Sequence, residues 1–187
     1  MTNIVILASH NGSGFDAIYK AIKAKTLDAN IALLISNNTD AIAIKNAKAY
    51  GIKHFVVNEK MYPNADKEIY KLLKESQCSY VFLSGYMKKL SPLLTSNFRI
   101  INAHPSLLPK HGGAGMYGRF VHKAVINSKD KVSGVTIHEV NAVYDDGKIL
   151  LQREVAVTEN ETEESLEVKI KELEKSAIVE ALKQCLK

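Results

Sequence analysis

Hydrophobic positions in this chain follow two alternating patterns: short unbroken apolar runs, and longer segments with an apolar residue every three or four positions. The first run, IVILA at 4–8, is bounded by polar residues, the mark of a strand buried on both faces. A polar turn from Ser9 to Gly14 separates it from a helical pattern with Phe15, Ile18, Ala21 and Ile22 on one stripe. The rhythm repeats with a strand over Asn30–Ser36, a helix over Asp40–Tyr50 stopped by Gly51, and a shorter strand over Lys53–Val57. A helix then starts near Pro63 and Asp66, carries Ile69, Leu72 and Leu73 to about Gln77, and leads to a strand over Tyr80–Ser84. Strands separated by helices of this length imply a parallel sheet with right-handed crossovers.

A fifth strand ends inside FRIINAHPSLLP, residues Phe98–Pro109. Ile100 and Ile101 give it an apolar, β-branched start, and alternation puts Asn102 and His104 on one face. Pro105 removes a backbone donor and ends the strand. A carboxamide and an imidazole thus leave a strand tip together, where open α/β sheets hold their ligands. This is the expected reaction centre. Lys110–Gly118 follows with four glycines in nine residues and reads as a lid. A helix over Arg119–Ser128 carries Val121, Ala124 and Val125; His122 on it reads as a surface histidine, and His111 as a loop residue. Strands over Val135–Val140 and Ile149–Val157 are joined by a tight reversal at Tyr144–Gly147, which makes them antiparallel. The last helix, Glu163–Leu186, has Leu166, Ile170, Leu173, Ala177, Ile178 and Leu182 as its stripe. The expected architecture is one α/β domain over 1–187, a Rossmann-like three-layer arrangement with a mostly parallel, mixed seven-stranded sheet flanked by helices.

At 187 residues and 46% hydrophobic, the chain has room for a full core. It has no bilayer-length apolar run and no signal-peptide pattern, so a cytoplasmic protein with no membrane partner is expected. Cys78 and Cys185 lie far apart without metal-ligand spacing. The net charge of +5 comes from scattered lysines, which favours small anionic ligands over nucleic acid.

Ser9–Gly14 adds chemistry to the first turn. A strand, a short Gly/Ser turn and a helix start aim free N–H groups at an anion. Gly12 suits the turn and Ser13 offers a hydroxyl; equally, the segment is a plain turn with Ser13 as helix cap. In GYMKKLSP, residues 85–92, Tyr86, Met87 and Leu90 read either as lining of an apolar slot rimmed by Lys88 and Lys89, or as core.

NGSG after the first strand, GYMKKLSP after the fourth, INAHPSLLP, and SGVTIHEV followed by YDDG together resemble the folate-dependent formyltransferase family, nearly end to end. The resemblance is greatest to its short members of purine synthesis. It implies 10-formyltetrahydrofolate as co-substrate, phosphoribosylglycinamide as the amine acceptor, no metal, and a monomer or homodimer. It further implies that Asn102 and a protonated His104 stabilise an oxyanion, with Asp145 orienting His104; spacing from His138 favours Asp145 over Asp146. Asn11, Gly12, Ser13 and Gly14 would hold the acceptor's phosphate, Met87 and Pro105 its reacting end, and Glu174 its ribose hydroxyls. Tyr86, Lys88, Lys89, Leu90, Asn102 and Val140 would border the folate. Three positions depart from the family pattern: Gly14 stands for asparagine, Lys88 for arginine, and Asp145-Asp146-Gly147-Lys148 for Asp-Gly-Gly-Pro. Transfer to methionyl-tRNA, to a nucleotide sugar or to water, and a non-catalytic nucleotide-binding module, are the competing expectations.

Overall fold

The computed structural model describes residues 1–186. Five strands, β1 (Thr2–Ala8), β2 (Ala29–Ser36), β3 (His54–Val56), β4 (Tyr80–Ser84) and β5 (Ile100–His104), pair in parallel. β6 (Val132–Glu139) pairs antiparallel with β5, and β7 (Ile149–Ala156) antiparallel with β6. All seven form one sheet in the order β3-β2-β1-β4-β5-β6-β7. The chain reverses its direction of travel across the sheet between β1 and β4, and the loops leaving those strands open a crevice at their carboxyl ends.

The helices are α1 (Ser13–Lys23), α2 (Ile42–Ala49), α3 (Ala65–Glu75), α4 (Pro92–Thr95), α5 (Arg119–Asn127) and α6 (Glu163–Cys185). Alternation divides the core in two. Ile4, Ile6, Phe82 and Ile137 face a layer built on Phe15, Ile18, Ile170 and Ile178 of α1 and α6. Val5, Leu7, Val81 and Ile100 face Ile69, Leu72, Leu73 and Leu94 of α3 and α4. Because β1 is buried on both faces, it reads as a continuous apolar run. Truncating Ile178 to alanine in the first layer would cost about 2–5 kcal/mol. Asn64 starts α3 by accepting from the Lys67 N–H at 2.9 Å, and Thr162 and Ser165 form a reciprocal capping box at α6.

Two details differ from the patterning. α4 is a single turn, too short to show an apolar period. The link between β6 and β7 runs over 140–148, an open loop rather than a tight reversal, and it folds back across the tip of β5. Among the described residues, no helix is long and apolar enough to cross a membrane.

Candidate active site

The tip of β5 takes its geometry from β6. Asn102 lies opposite His138 in the antiparallel register, and His104 opposite Thr136. Asn102 Nδ2 is 3.2 Å from His138 Nε2, and His138 Nδ1 is 2.9 Å from the Glu139 carbonyl oxygen. That carbonyl only accepts, so Nδ1 carries the proton and Nε2 accepts from Asn102. The carboxamide is thereby fixed with its second N–H free. Burial holds the His138 imidazole below the usual histidine range, consistent with a neutral ring.

His104 is buried at 3% exposure. Its Nε2 donates to the His111 carbonyl at 2.8 Å, leaving Nδ1 3.4 Å from Asp145 Oδ2. Burial lowers its pKa more than the Asp145 carboxylate and the His111 carbonyl raise it. The charge that the resemblance implies for His104 is thus opposed by burial and favoured by the Asp145 carboxylate. A proton gained at Nδ1 would lie beside Asp145.

Asp145 also accepts from the Gly113 N–H at 2.9 Å, and its Oδ1 is 3.6 Å from His138 Nε2. Asp146 is exposed and is not among the residues that line the cavity. Asp145 adopts φ 55°, and the loop approaches β6 closely just beyond it. A Cβ on Gly147 would stand 1.7 Å from the Glu139 carbonyl oxygen, so only glycine permits that approach.

A buried hydroxyl supports the segment after β5. Thr136 Oγ1 donates to the Ser106 carbonyl at 2.7 Å and accepts from the Leu108 N–H at 3.0 Å and Gln152 Nε2 at 2.9 Å. The glycine-rich segment is tied down at its start, where Lys110 Nζ and His111 Nε2 reach Asp130 at 2.6 and 2.8 Å. His111 is thus more than a loop residue, because its ring anchors the segment while its carbonyl receives His104.

These groups open onto a cavity of about 640 Å³, a size suited to small-molecule ligands. Asn11, Gly12 and Ser13 form one end. Gly12, at φ 70°, is the residue that caps α1; Ser13 is the first helical residue, not the cap, and its hydroxyl has no protein partner among the described residues. Gly14 contributes nothing to the cavity wall. A Cβ there would lie 2.8 Å from Phe82 Cε1 and 3.0 Å from Ile178 Cδ1, so a side chain at this position would require these neighbours to shift. Ser9, buried behind the loop, donates to Asn37 Oδ1 at 2.6 Å and accepts from the Met87 N–H at 2.8 Å.

Met87, Pro105, Tyr86, Lys88, Lys89, Leu90 and Val140 all border the cavity. Met87 is 45% exposed, against the reading of it as core, whereas Leu90 is buried in both senses, packed in the second core layer and touching the cavity. Burial pushes the Tyr86 phenol up to about 12. Lys89 lies over the Tyr144 ring, 5.2 Å from its centroid. Glu174 of α6 also lines the cavity and is half-buried, and desolvation pushes its carboxyl up to about 7. His122 is buried at 2% exposure and borders the cavity, correcting its reading as a surface histidine. Its place between Val121 and Val125 on the apolar stripe of α5 was the available signal. His10, His138 and Lys171 also line the cavity and carried no role in the sequence reading. Among the described residues, no group of three or more His, Cys, Asp or Glu is placed to hold a metal.

The chain is similar to known proteins in sequence and in fold. Residues 2–182 match the family model described as formyl transferase. The chain is 33% identical over 191 residues to phosphoribosylglycinamide formyltransferase of Bacillus subtilis, covering 100% of this chain and 95% of that one. It is 35% identical over 185 residues to the chloroplastic phosphoribosylglycinamide formyltransferase of Arabidopsis thaliana, covering 96% of this chain but only 63% of that relative's length. The crystal structure of phosphoribosylglycinamide formyltransferase from Bacillus halodurans superposes with a TM-score of 0.90 at 34% identity, over 99% of this chain and 95% of that one.

Proposed function

The chain belongs to the formyl transferase family, and from that premise we propose that it transfers the formyl group of 10-formyltetrahydrofolate to the amine of phosphoribosylglycinamide. The observation that carries this reading is one continuous cavity. It joins a helix-start loop suited to a phosphate, the Asn102/His104/Asp145 cluster, and a half-apolar slot beneath Tyr86 and Leu90.

In this reading the neutral amine attacks the formyl carbon directly, and the carbonyl π-electrons move onto oxygen. The free Asn102 N–H and a proton on His104 Nδ1 stabilise that oxyanion. The attacking nitrogen becomes cationic and gives its proton to His104 Nδ1; Asp145, 3.4 Å away, stabilises the imidazolium that results. Collapse breaks the bond between the formyl carbon and N10 of the folate. The proton lost by the amine ends on N10, and Asp145 and His104 are placed to pass it on. His138 serves by holding the Asn102 carboxamide in one orientation. The acceptor's phosphate docks on Asn11–Ser13, and Glu174 accepts from its ribose hydroxyls.

An absorbance assay with a 10-formylfolate analogue tests this. Turnover with phosphoribosylglycinamide, and not with a nucleotide amino-sugar or without acceptor, is the expected result. Turnover only with the sugar reassigns the phosphate loop, consumption of folate without an acceptor indicates a hydrolase, and no reaction leaves a binding module.

A further inference from the structure

His122 stands one turn into α5, enclosed by protein yet bordering the cavity. Its Nδ1 is fully buried and has no hydrogen-bond partner among the described residues. Nε2 is not enclosed in that way, and so is the ring atom open to the cavity. A buried N–H with no acceptor is a rarer and costlier state than a buried lone pair, which places the proton on Nε2. The ring therefore presents one hydrogen-bond donor to the cavity and nothing among the described residues receives it.

The surroundings indicate what does. The charged and titratable groups around His122 are Glu163, Glu167 and Lys171 of α6, together with His104. Glu174 lies one turn beyond Lys171 along the same wall. His122 thus shares one cavity with the reacting group His104, which is near enough to act on it, and with Glu174, the residue assigned to the ribose. In phosphoribosylglycinamide, the part between the reacting amine and the ribose is an amide, whose carbonyl oxygen only accepts hydrogen bonds.

We propose that His122 is a specificity residue that donates from Nε2 to the amide carbonyl oxygen of the acceptor. The assignment rests on the formyl-transfer reading above and adds the feature by which the site separates an amide-bearing amine from an amino-sugar. An unmet polar group in a closed site is the strongest discriminator available to it.

The test compares phosphoribosylglycinamide with an analogue on a carbocyclic phosphate scaffold in which the amide carbonyl is reduced to methylene. Wild-type protein should show a KM about tenfold higher for the reduced compound, the equivalent of one lost hydrogen bond. His122→Leu should raise the KM for the natural acceptor about tenfold, leave that for the reduced compound within twofold, and leave the folate KM unchanged. His122→Gln keeps a donor at similar reach and should restore part of the difference; its thermal melt, with that of His122→Leu, reports folding. An equal rise for both acceptors, a parallel rise in the folate KM, or no rescue by glutamine overturns the assignment. A wild-type protein that formylates neither compound overturns the activity itself, which the wild-type control reveals before any variant is compared.

Discussion

Replacing Asp145 by asparagine isolates the charge that faces His104. The two groups are 3.4 Å apart, and Asp145 is only 12% exposed in its side chain. At an effective dielectric near 20, a unit charge pair at this distance interacts by about 5 kcal/mol. Partial solvation and the competing Gly113 N–H reduce that figure, and about 3–4 kcal/mol remains to stabilise the imidazolium as it forms. The expected loss is therefore roughly two to three decades in kcat. Asparagine retains an oxygen for the Gly113 N–H, so the loop keeps its place and KM for both substrates should stay within about threefold. Asp146→Asn is the matched control: its side chain is exposed and outside the cluster, and its kcat should change less than about twofold. Steady-state rates by absorbance, taken from pH 6 to 9, distinguish the two. Equal losses for both variants, or a loss of less than tenfold at Asp145, would refute the ion-pair reasoning.

Ser13→Ala removes a hydroxyl that meets no protein group, and should raise the KM for the phosphorylated acceptor roughly fivefold with kcat nearly unchanged; an unaltered KM would leave the loop with a purely structural part. Glu174, raised from 4.5 to about 7 by burial, binds its proton more tightly folded than unfolded. Its penalty is absent below the unfolded value, grows through the interval to about 7, and is complete above it, so stability should fall as pH rises through that window. Glu174→Gln should flatten that part of the melting-temperature profile, and a wild-type profile rising with pH over the same interval relative to the variant would contradict the assignment.

What the sequence made legible was what local pattern encodes. β1 from Ile4 to Ala8 and β4 from Tyr80 to Leu83 are unbroken apolar runs because both of their faces are covered, and α1 shows its stripe because only one of its faces is. Asn102 and His104 were legible because alternation and Pro105 act within five residues. The role of His138 was not, since it depends on β6 lying antiparallel to β5 with His138 opposite Asn102, a pairing that spans 36 residues. The lowered pKa of His104 was hidden for a related reason: it reflects a balance between burial and charge that only the assembled loops determine. Gly14 looked like part of an anion-binding turn, but its identity is dictated by Phe82 and Ile178, which arrive from distant elements.

The buried Ser9 hydroxyl has a consequence for rate. It connects the loop after β1 to Asn37, just past β2, and to the backbone of Met87 after β4. One atom thus links the part of the cavity lined by Asn11–Ser13, proposed above to hold a phosphate, to the part beside Met87, proposed to meet the second ligand. For a reaction of two substrates, that spacing behaves as a fixed concentration: each ligand meets the other at a separation determined when the chain folded. Well-aligned partners held in this way reach effective molarities of about 10⁵ M or more. A half-ångström shift in this one hydroxyl would therefore register as a slower encounter between two molecules that it never touches.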